Sequence, residues 1–207
     1  MGTVAVIDFE TTGLSPDMGD RATEVAVVIV DNGKISDRYQ SFMNAGVRIP
    51  PFIESLTGIT NAMVRNAPPA SEVMSALAKF VGSVPLVAHN ASFDRKFLDA
   101  EWSRIRQQRK QEFACSMLLA RRIYPAAPDH KLGTLVSHLK LPPAARHHRA
   151  LADAEMTAHL WLRMLSDIRQ QYGLNTIPHD FLCMLQKVPK AQINDYVSRA
   201  RHELQTE

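Results

Sequence analysis

Two carboxylates separated by one residue follow an apolar run near the start of the sequence. Residues 4–7 read Val-Ala-Val-Ile and lead into Asp8 and Glu10, with Gly13 ending the extended segment. Because side chains alternate along a strand, both carboxylates point to the same side, about 7 Å apart. Like charges on a buried strand call for a cation, and a hard divalent metal ion suits oxygen ligands. This stretch alone leaves two interpretations open, a metal site and a strand that ends in polar residues.

Two further stretches each place an aspartate in the first turn of a predicted helix. Residues 89–94 read His-Asn-Ala-Ser-Phe-Asp, and residues 147–153 read His-His-Arg-Ala-Leu-Ala-Asp. The helix dipole favours a carboxylate at this position, so Asp94 and Asp153 could each be ordinary N-terminal acids. His148 precedes Asp153 by five residues, about 500° of helical rotation, which puts it on the loop or at the very start of the helix. Taken alone, His148 could be a solvent-exposed loop histidine.

The three stretches make more chemical sense together than separately. The end of a central strand and the first turns of two helices can meet at one edge of an α/β sheet. Four carboxylates and a histidine there would suit two divalent ions, about 3.5–4 Å apart, that promote an in-line phosphoryl displacement. A histidine with a pKa near 6.5 is a fitting base for the attacking water.

The same stretches resemble the three exonuclease motifs of the DnaQ-like family. They are residues 8–14 (Asp-Phe-Glu-Thr-Thr-Gly-Leu), 89–94 and 148–153, and their order and spacing match over about residues 3–165. The histidine five residues before the last aspartate marks the DEDDh branch, which includes the proofreading ε subunit of bacterial DNA polymerase III and exonuclease X. The resemblance implies an RNase H-like exonuclease fold that removes nucleoside monophosphates from a 3′ end with Mg²⁺ or Mn²⁺.

By position in these motifs, the resemblance implies a role for each catalytic residue. Asp8, Glu10 and Asp153 would bind the first of two metal ions, and Asp8 would bridge to the second. Asp94 would bind directly or through water. His148 would deprotonate the attacking water.

The resemblance also implies a set of substrate-binding residues. Thr11, Thr12 and Leu14 would line the terminal nucleotide, with Leu14 as an apolar wedge beside the last base, and Phe93 would pack nearby. Unpaired bases offer π faces for stacking, so binding a single strand needs few cations. The modest net charge of +3 is consistent with that mode of binding.

The predicted substrate is the 3′ end of single-stranded DNA, in proofreading or DNA repair. Two alternatives stay open: a 3′–5′ exoribonuclease that trims RNA, and a non-catalytic binding subunit associated with a polymerase. The presence of all four acids and the histidine favours an active enzyme. Residues 8–12 also resemble the Asp-x-Asp-x-Thr start of aspartyl-phosphate phosphatases, but the second acid is Glu and the downstream paired acids are missing. A P-loop enzyme is excluded because no Gly-x-x-x-x-Gly-Lys occurs.

The hydrophobic pattern predicts an α/β fold with a mixed five-stranded sheet flanked by helices. Strands are predicted at residues 3–9, 23–30, 34–43, 85–88 and 113–115, the first three as an antiparallel meander with an Asn-Gly turn. Helices are predicted at residues 70–81, 90–105, 117–124, 132–139 and 148–172. Residues 44–69 are predicted to be irregular apart from a short helix starting at Thr60.

The composition is that of an ordinary globular protein. Hydrophobic residues make up 45% of the 207, and the two cysteines fit neither a disulfide framework nor a zinc site. With no signal peptide or membrane span in the pattern, we expect a cytoplasmic protein without membrane contact. We expect an exonuclease domain over residues 1–173 and a short helical appendage over 174–207. That appendage would either cap the domain or contact a DNA polymerase or a second copy of the chain.

Overall fold

Five strands form one mixed sheet, as the sequence predicts. The computed structural model describes residues 2–143 and 149–204, with side chains as far as residue 201. The strands are β1 (Val4–Thr11), β2 (Ala22–Asp31), β3 (Lys34–Phe42), β4 (Leu86–Ala88) and β5 (Phe113–Cys115), in the order β3-β2-β1-β4-β5. The first three strands pair antiparallel, and β4 and β5 run parallel to β1. The predicted Asn-Gly turn is present, with positive φ at both Asn32 (47°) and Gly33 (80°).

Helices cover both faces of this sheet. They are α1 (Pro51–Thr57), α2 (Asn61–Arg65), α3 (Ala70–Val81), α4 (Ala91–Arg104), α5 (Ser116–Ile123), α6 (Leu132–His138), α7 (Ala150–Tyr172), α8 (His179–Leu185) and α9 (Ile193–Leu204). The helix at 70–81 has the predicted bounds. The short helix predicted to start at Thr60 is α2, and Thr60 is its N-cap residue, accepting a hydrogen bond from the Met63 backbone N–H. Asn90, where the predicted helix 90–105 begins, is the N-cap residue of α4, but its backbone is left-handed (φ 66°) and its side chain forms no capping bond.

The prediction that residues 44–69 are irregular, with only the helix at Thr60, was wrong for α1. Two consecutive prolines, Pro50 and Pro51, favour an irregular segment, yet Pro51 is the first residue of α1. The first turn tolerates proline because its N–H would have no partner within the helix anyway. Gly58, with φ 70°, ends this helix.

The core has two layers, one on each side of the sheet. On one side α7 packs across β1 and β2, and its Trp161 is 1% exposed. On the other side α3 and α4 pack with the alternate residues of the same strands, and this cluster includes Ile7 of β1 and Phe97 of α4. Because β1 is central, its side chains are buried on both faces, and the polar residues at its far end stand out against that background.

The last two helices belong to the α7 side of the core. Phe181 of α8 and Ile193 of α9 are buried in the same cluster as α7. The Gln186 side chain binds the edge strand β5: its Oε1 accepts a hydrogen bond from the Cys115 backbone N–H (2.6 Å), and its Nε2 donates to the Phe113 carbonyl (3.3 Å). Residues 174–204 therefore pack on the sheet domain and cover its β5 edge. Within residues 2–143 and 149–204, no helix has the length and apolar content that crossing a membrane requires.

Candidate active site

The site forms where β1 extends past its shorter neighbour β4. Only Ala5 and Val6 of β1 pair with β4, so the backbone N–H of Phe9 has no strand partner on that side. Asp94, in the first turn of α4, accepts a hydrogen bond from this N–H through Oδ1 at 3.1 Å. The Asp94 side chain is buried (2% exposed). The strand end and the helix therefore meet through a specific bond, as the sequence predicts.

Three predicted metal ligands converge on the other face of β1. Asp8 and Glu10 share this face, and α7, which packs across it, brings Asp153 from its first turn. Each of the three carboxylates offers an oxygen within 4.8 Å of the other two. In the part of the chain that the structure describes, this is the one group of three or more acids, histidines or cysteines close enough to hold a metal ion.

Burial and mutual repulsion make these carboxylates poor places for a negative charge without a cation. Burial raises the pKa of Glu10 to about 8, aided by Asp153 and opposed by Arg149. Burial raises the pKa of Asp8 well above its usual range, and repulsion from the Asp94 carboxylate is the second-largest cause. Burial also raises the pKa of Asp94 to about 7, although the Phe9 N–H favours its charged form. The cluster will hold protons near neutral pH unless a cation replaces them.

This donor set fits a hard divalent cation. Among the described residues, all the ligand atoms of the group are carboxylate oxygens, which Mg²⁺ and Mn²⁺ prefer, with neither sulfur nor imidazole. Asp94 lies close enough to raise the pKa of Asp8. His148 lies outside the described residues, so its predicted role as general base stays a prediction.

The loop after β1 holds itself together through the two threonines that were predicted to bind substrate. The Thr11 hydroxyl donates to the Gly13 carbonyl (2.6 Å), and the Thr12 hydroxyl accepts from the Arg21 N–H (3.0 Å). Gly13 is needed because a Cβ there would lie 2.4 Å from Oδ1 of Asp20. Both hydroxyls thus have partners within the loop, and the threonine side chains are buried.

The two apolar residues predicted to bind substrate have different surroundings. Leu14 is 75% exposed at the tip of the loop, where a base could contact it. Phe93 is half-buried and packs on Phe97 with ring centroids 5.0 Å apart, and the Lys96 ammonium lies over its ring. Their contact with a nucleotide stays a prediction.

Two buried ion pairs beside the site were missed at the sequence level. Glu24 on β2 binds Arg149, and Glu101 on α4 binds Arg21 through both carboxylate oxygens at 2.7 and 2.9 Å. Both glutamates are almost completely buried. A signal was available for Glu24, which is the one charged residue in the apolar run 22–30.

Similarity to known proteins identifies the family. The sequence model of the RNase T family, described as "Exonuclease", matches residues 5–161. The chain is 36% identical to the 3′-5′ exonuclease DinG of Bacillus subtilis over 194 residues, and 38% identical to the PolC-type DNA polymerase III of Bacillus cereus over 167 residues. Its fold matches exonuclease X, solved in complex with 5′ overhanging duplex DNA, with a TM-score of 0.66 and 30% identity over 94% of this chain and 99% of that one.

The chain belongs to this exonuclease family. Its motifs and its mixed RNase H-like sheet are those of the DEDDh 3′–5′ exonucleases, as the sequence indicated. The chain aligns over 92% and 80% of its own length with DinG and PolC, but it spans only 20% and 12% of those two proteins. The match therefore concerns one segment of each of those two proteins.

Proposed function

We propose that this exonuclease releases nucleoside 5′-monophosphates from the 3′ end of single-stranded DNA, using two Mg²⁺ or Mn²⁺ ions. The observation that carries the proposal is the convergence of Asp8, Glu10 and Asp153 within 4.8 Å, beside the buried Asp94. Two ions bound there would offset charge on the scissile phosphate and lower the pKa of the attacking water. Asp8 would hold both ions, Glu10 and Asp153 would hold one, and Asp94 would bind directly or through water.

The proton of the attacking water needs an acceptor other than the metal ligands. We assign this role to His148, which directly precedes Arg149, the N-cap residue of α7, in the sequence. An imidazole with an ordinary pKa near 6.5 is neutral at physiological pH and can take the proton. The exposed Leu14 would contact the terminal base, and the backbone of Thr11 and Thr12 would form the floor beneath it.

DNA is favoured over RNA by the relatives above 25% identity. One carries the name of a DNA polymerase, and another is a structure solved with DNA. We therefore place the activity in proofreading or DNA repair. We also propose that residues 1–173 are the exonuclease domain and that 174–207 are an appendage packed on it, available for contact with a polymerase or a second copy.

Matched substrates would test the proposal. We would incubate the purified protein with single-stranded DNA, duplex DNA and single-stranded RNA of one sequence, labelled at either end, with Mg²⁺, Mn²⁺ or EDTA. We expect monophosphates from 3′-labelled single-stranded DNA, a ladder from the 5′-labelled strand, and no products in EDTA. Faster release from RNA, or cleavage that starts at the 5′ end, would overturn the assignment.

Two substitutions of aspartate by asparagine provide the matched comparison. Asp8→Asn removes a charge from the cluster and should abolish the release of monophosphates. Asp37→Asn makes the same change at an exposed position on β3 and should leave the rate unchanged. Equal activity in the two variants would show that the acidic cluster is not the site of hydrolysis.

A further inference from the structure

A carboxylate outside the metal-binding group lies directly beside it. Glu24 on β2 is the register partner of Glu10 on β1, so their side chains share one face of the sheet. The Glu24 side chain is completely buried (0% exposed). A buried carboxylate persists only where donors satisfy its oxygens. The identity of those donors indicates what Glu24 does.

Donors from two elements and one connecting residue bind Glu24. Oε1 accepts from Gln40 Nε2 of β3 at 2.5 Å and from Arg149 Nη2 at 3.1 Å. Oε2 accepts from Arg149 Nε at 3.2 Å and from the backbone N–H of Ala150 at 3.2 Å. The fork of the Arg149 guanidinium thus meets both carboxylate oxygens, a geometry that restricts orientation as well as distance.

The bond to Ala150 caps α7 from a neighbouring strand. Ala150 is the first residue of α7, and its N–H is one of the first four that have no partner within a helix. The N-cap residue, Arg149, makes no side-chain capping bond of its own. Glu24 supplies the missing acceptor and its negative charge suits the helix dipole. The start of α7 is therefore tied to β2, the strand next to β1.

Arg149 connects this contact to the metal-binding group. Its backbone carbonyl accepts the N–H of Asp153 at 3.1 Å, while its side chain holds Glu24 and lies over the Phe42 ring at 5.1 Å. A shift of Arg149 would displace Asp153 through this single turn of helix. Arg149 also directly follows His148, the proposed base, in the sequence.

We propose that Glu24 is a positioning residue for the metal site. It holds Arg149 and the first N–H of α7, and thereby sets Asp153 against Asp8 and Glu10. The inference rests on the proposed function, because it assigns Asp153 as a metal ligand. Groups that orient metal ligands in this way typically change metal affinity or activity by about 10–100-fold when they are replaced.

The test is Mn²⁺ binding without substrate, followed by kinetics. Glu24→Gln keeps the side-chain shape but leaves one acceptor oxygen for four donor groups, and its NH₂ faces the donors of the guanidinium. We expect calorimetry to show Mn²⁺ binding about 10–100-fold weaker than in the wild type. At saturating Mn²⁺, kcat on 3′-labelled single-stranded DNA should fall while KM changes by less than about twofold, since Glu24 does not contact substrate.

A control on the same helix separates positioning from general destabilisation. Asp167 of α7 accepts hydrogen bonds from Tyr124 and Arg163, about 21 Å along the helix axis from Asp153 at 1.5 Å per residue. Asp167→Asn should lower the melting temperature without changing Mn²⁺ affinity or kcat. If Glu24→Gln does not fold, Arg149→Lys keeps the charge but loses the fork, and the same loss of Mn²⁺ affinity is expected.

The outcomes distinguish this inference from the proposed function. Wild-type Mn²⁺ affinity in a folded Glu24→Gln protein, or in Arg149→Lys where that variant replaces it, would overturn the positioning role. An equal loss of affinity in Asp167→Asn would also overturn it. If the wild type binds Mn²⁺ but degrades no nucleic acid, the proposed function fails, while the calorimetric comparison still tests whether Glu24 positions Asp153.

Discussion

The acidic cluster should make the metal-free protein less stable as pH rises, and Glu10→Gln should relieve that loss. Glu10 has a pKa of about 8 in the folded protein against an ordinary 4.5. The folded state therefore binds more protons than the unfolded state between these values, and stability must decrease as pH increases through that window. The contribution is fully present below pH 4.5 and is lost by about pH 8.

The magnitude follows from the same two pKa values. At about 1.4 kcal/mol per pH unit, a pKa raised from 4.5 to about 8 corresponds to at most about 5 kcal/mol. Asp8 and Asp153 both repel the negative charge of Glu10, so the carboxylates of the cluster share protons. The contribution of Glu10 alone to the free energy of unfolding is therefore smaller than this limit. We expect Glu10→Gln to stabilise the metal-free protein by about 2–4 kcal/mol at pH 8 and by much less at pH 5.

The assay is urea unfolding in EDTA from pH 5 to pH 9, followed by circular dichroism. Glu155→Gln is the matched control, because Glu155 lies on α7 with an exposed ion pair to Arg38 that contributes about 1 kcal/mol or less. Adding Mn²⁺ should reverse the order, since the wild type gains binding energy that Glu10→Gln loses. A wild type whose metal-free stability is constant from pH 5 to pH 8, or a Glu10→Gln protein that gains nothing at pH 8, would refute the reasoning.

Three further predictions concern the base, the wedge and the last helices. His148→Ala should leave Mn²⁺ affinity nearly unchanged and slow kcat by about 10²–10⁴-fold; a normal rate there and a slow one in His147→Ala would move the role to His147. Leu14→Ala should raise KM for single-stranded DNA without weakening metal binding, and an unchanged KM and kcat would contradict the wedge. Phe181→Ala should destabilise the protein by about 3–5 kcal/mol in urea, whereas Met184→Ala, at an exposed position of the same helix, should change stability by about 0.5 kcal/mol or less.

Local sequence patterns predicted most of the secondary-structure elements. Alternation and β-branched runs located all five strands, and apolar spacing located α3 and α7, because these elements bury the faces that their periodicity defines. The helix α1 was missed because Pro50 and Pro51 interrupt the chain equally well in a loop and at a helix start. Proline restricts φ in both settings, so the local sequence does not distinguish them.

The grouping of the site's acids could be predicted from the sequence, and the residues that hold them in place could not. Asp8, Glu10 and Asp153 stand in short motifs with fixed spacing, so type and order were enough to group them. Glu24 and Arg149 are 125 residues apart and meet only in the folded chain. Nothing in local periodicity pairs two such residues, although a lone acid within an apolar strand indicates that a partner must exist.

Because β1 is longer than β4, its end can contact α4 on one side and present Glu10 to α7 on the other. Where β4 ends, the Phe9 N–H is free to bind Asp94, which fixes α4 against β1 on that side. One residue further, Glu10 faces α7, whose first turn is tied by Glu24 to the strand on the other side. Both helices that supply acids therefore start from bonds to the β1–β2 pair, so the spacing of the carboxylates is set by the sheet. A cluster that repels itself needs such a rigid support, because without a bound cation its charges would otherwise separate.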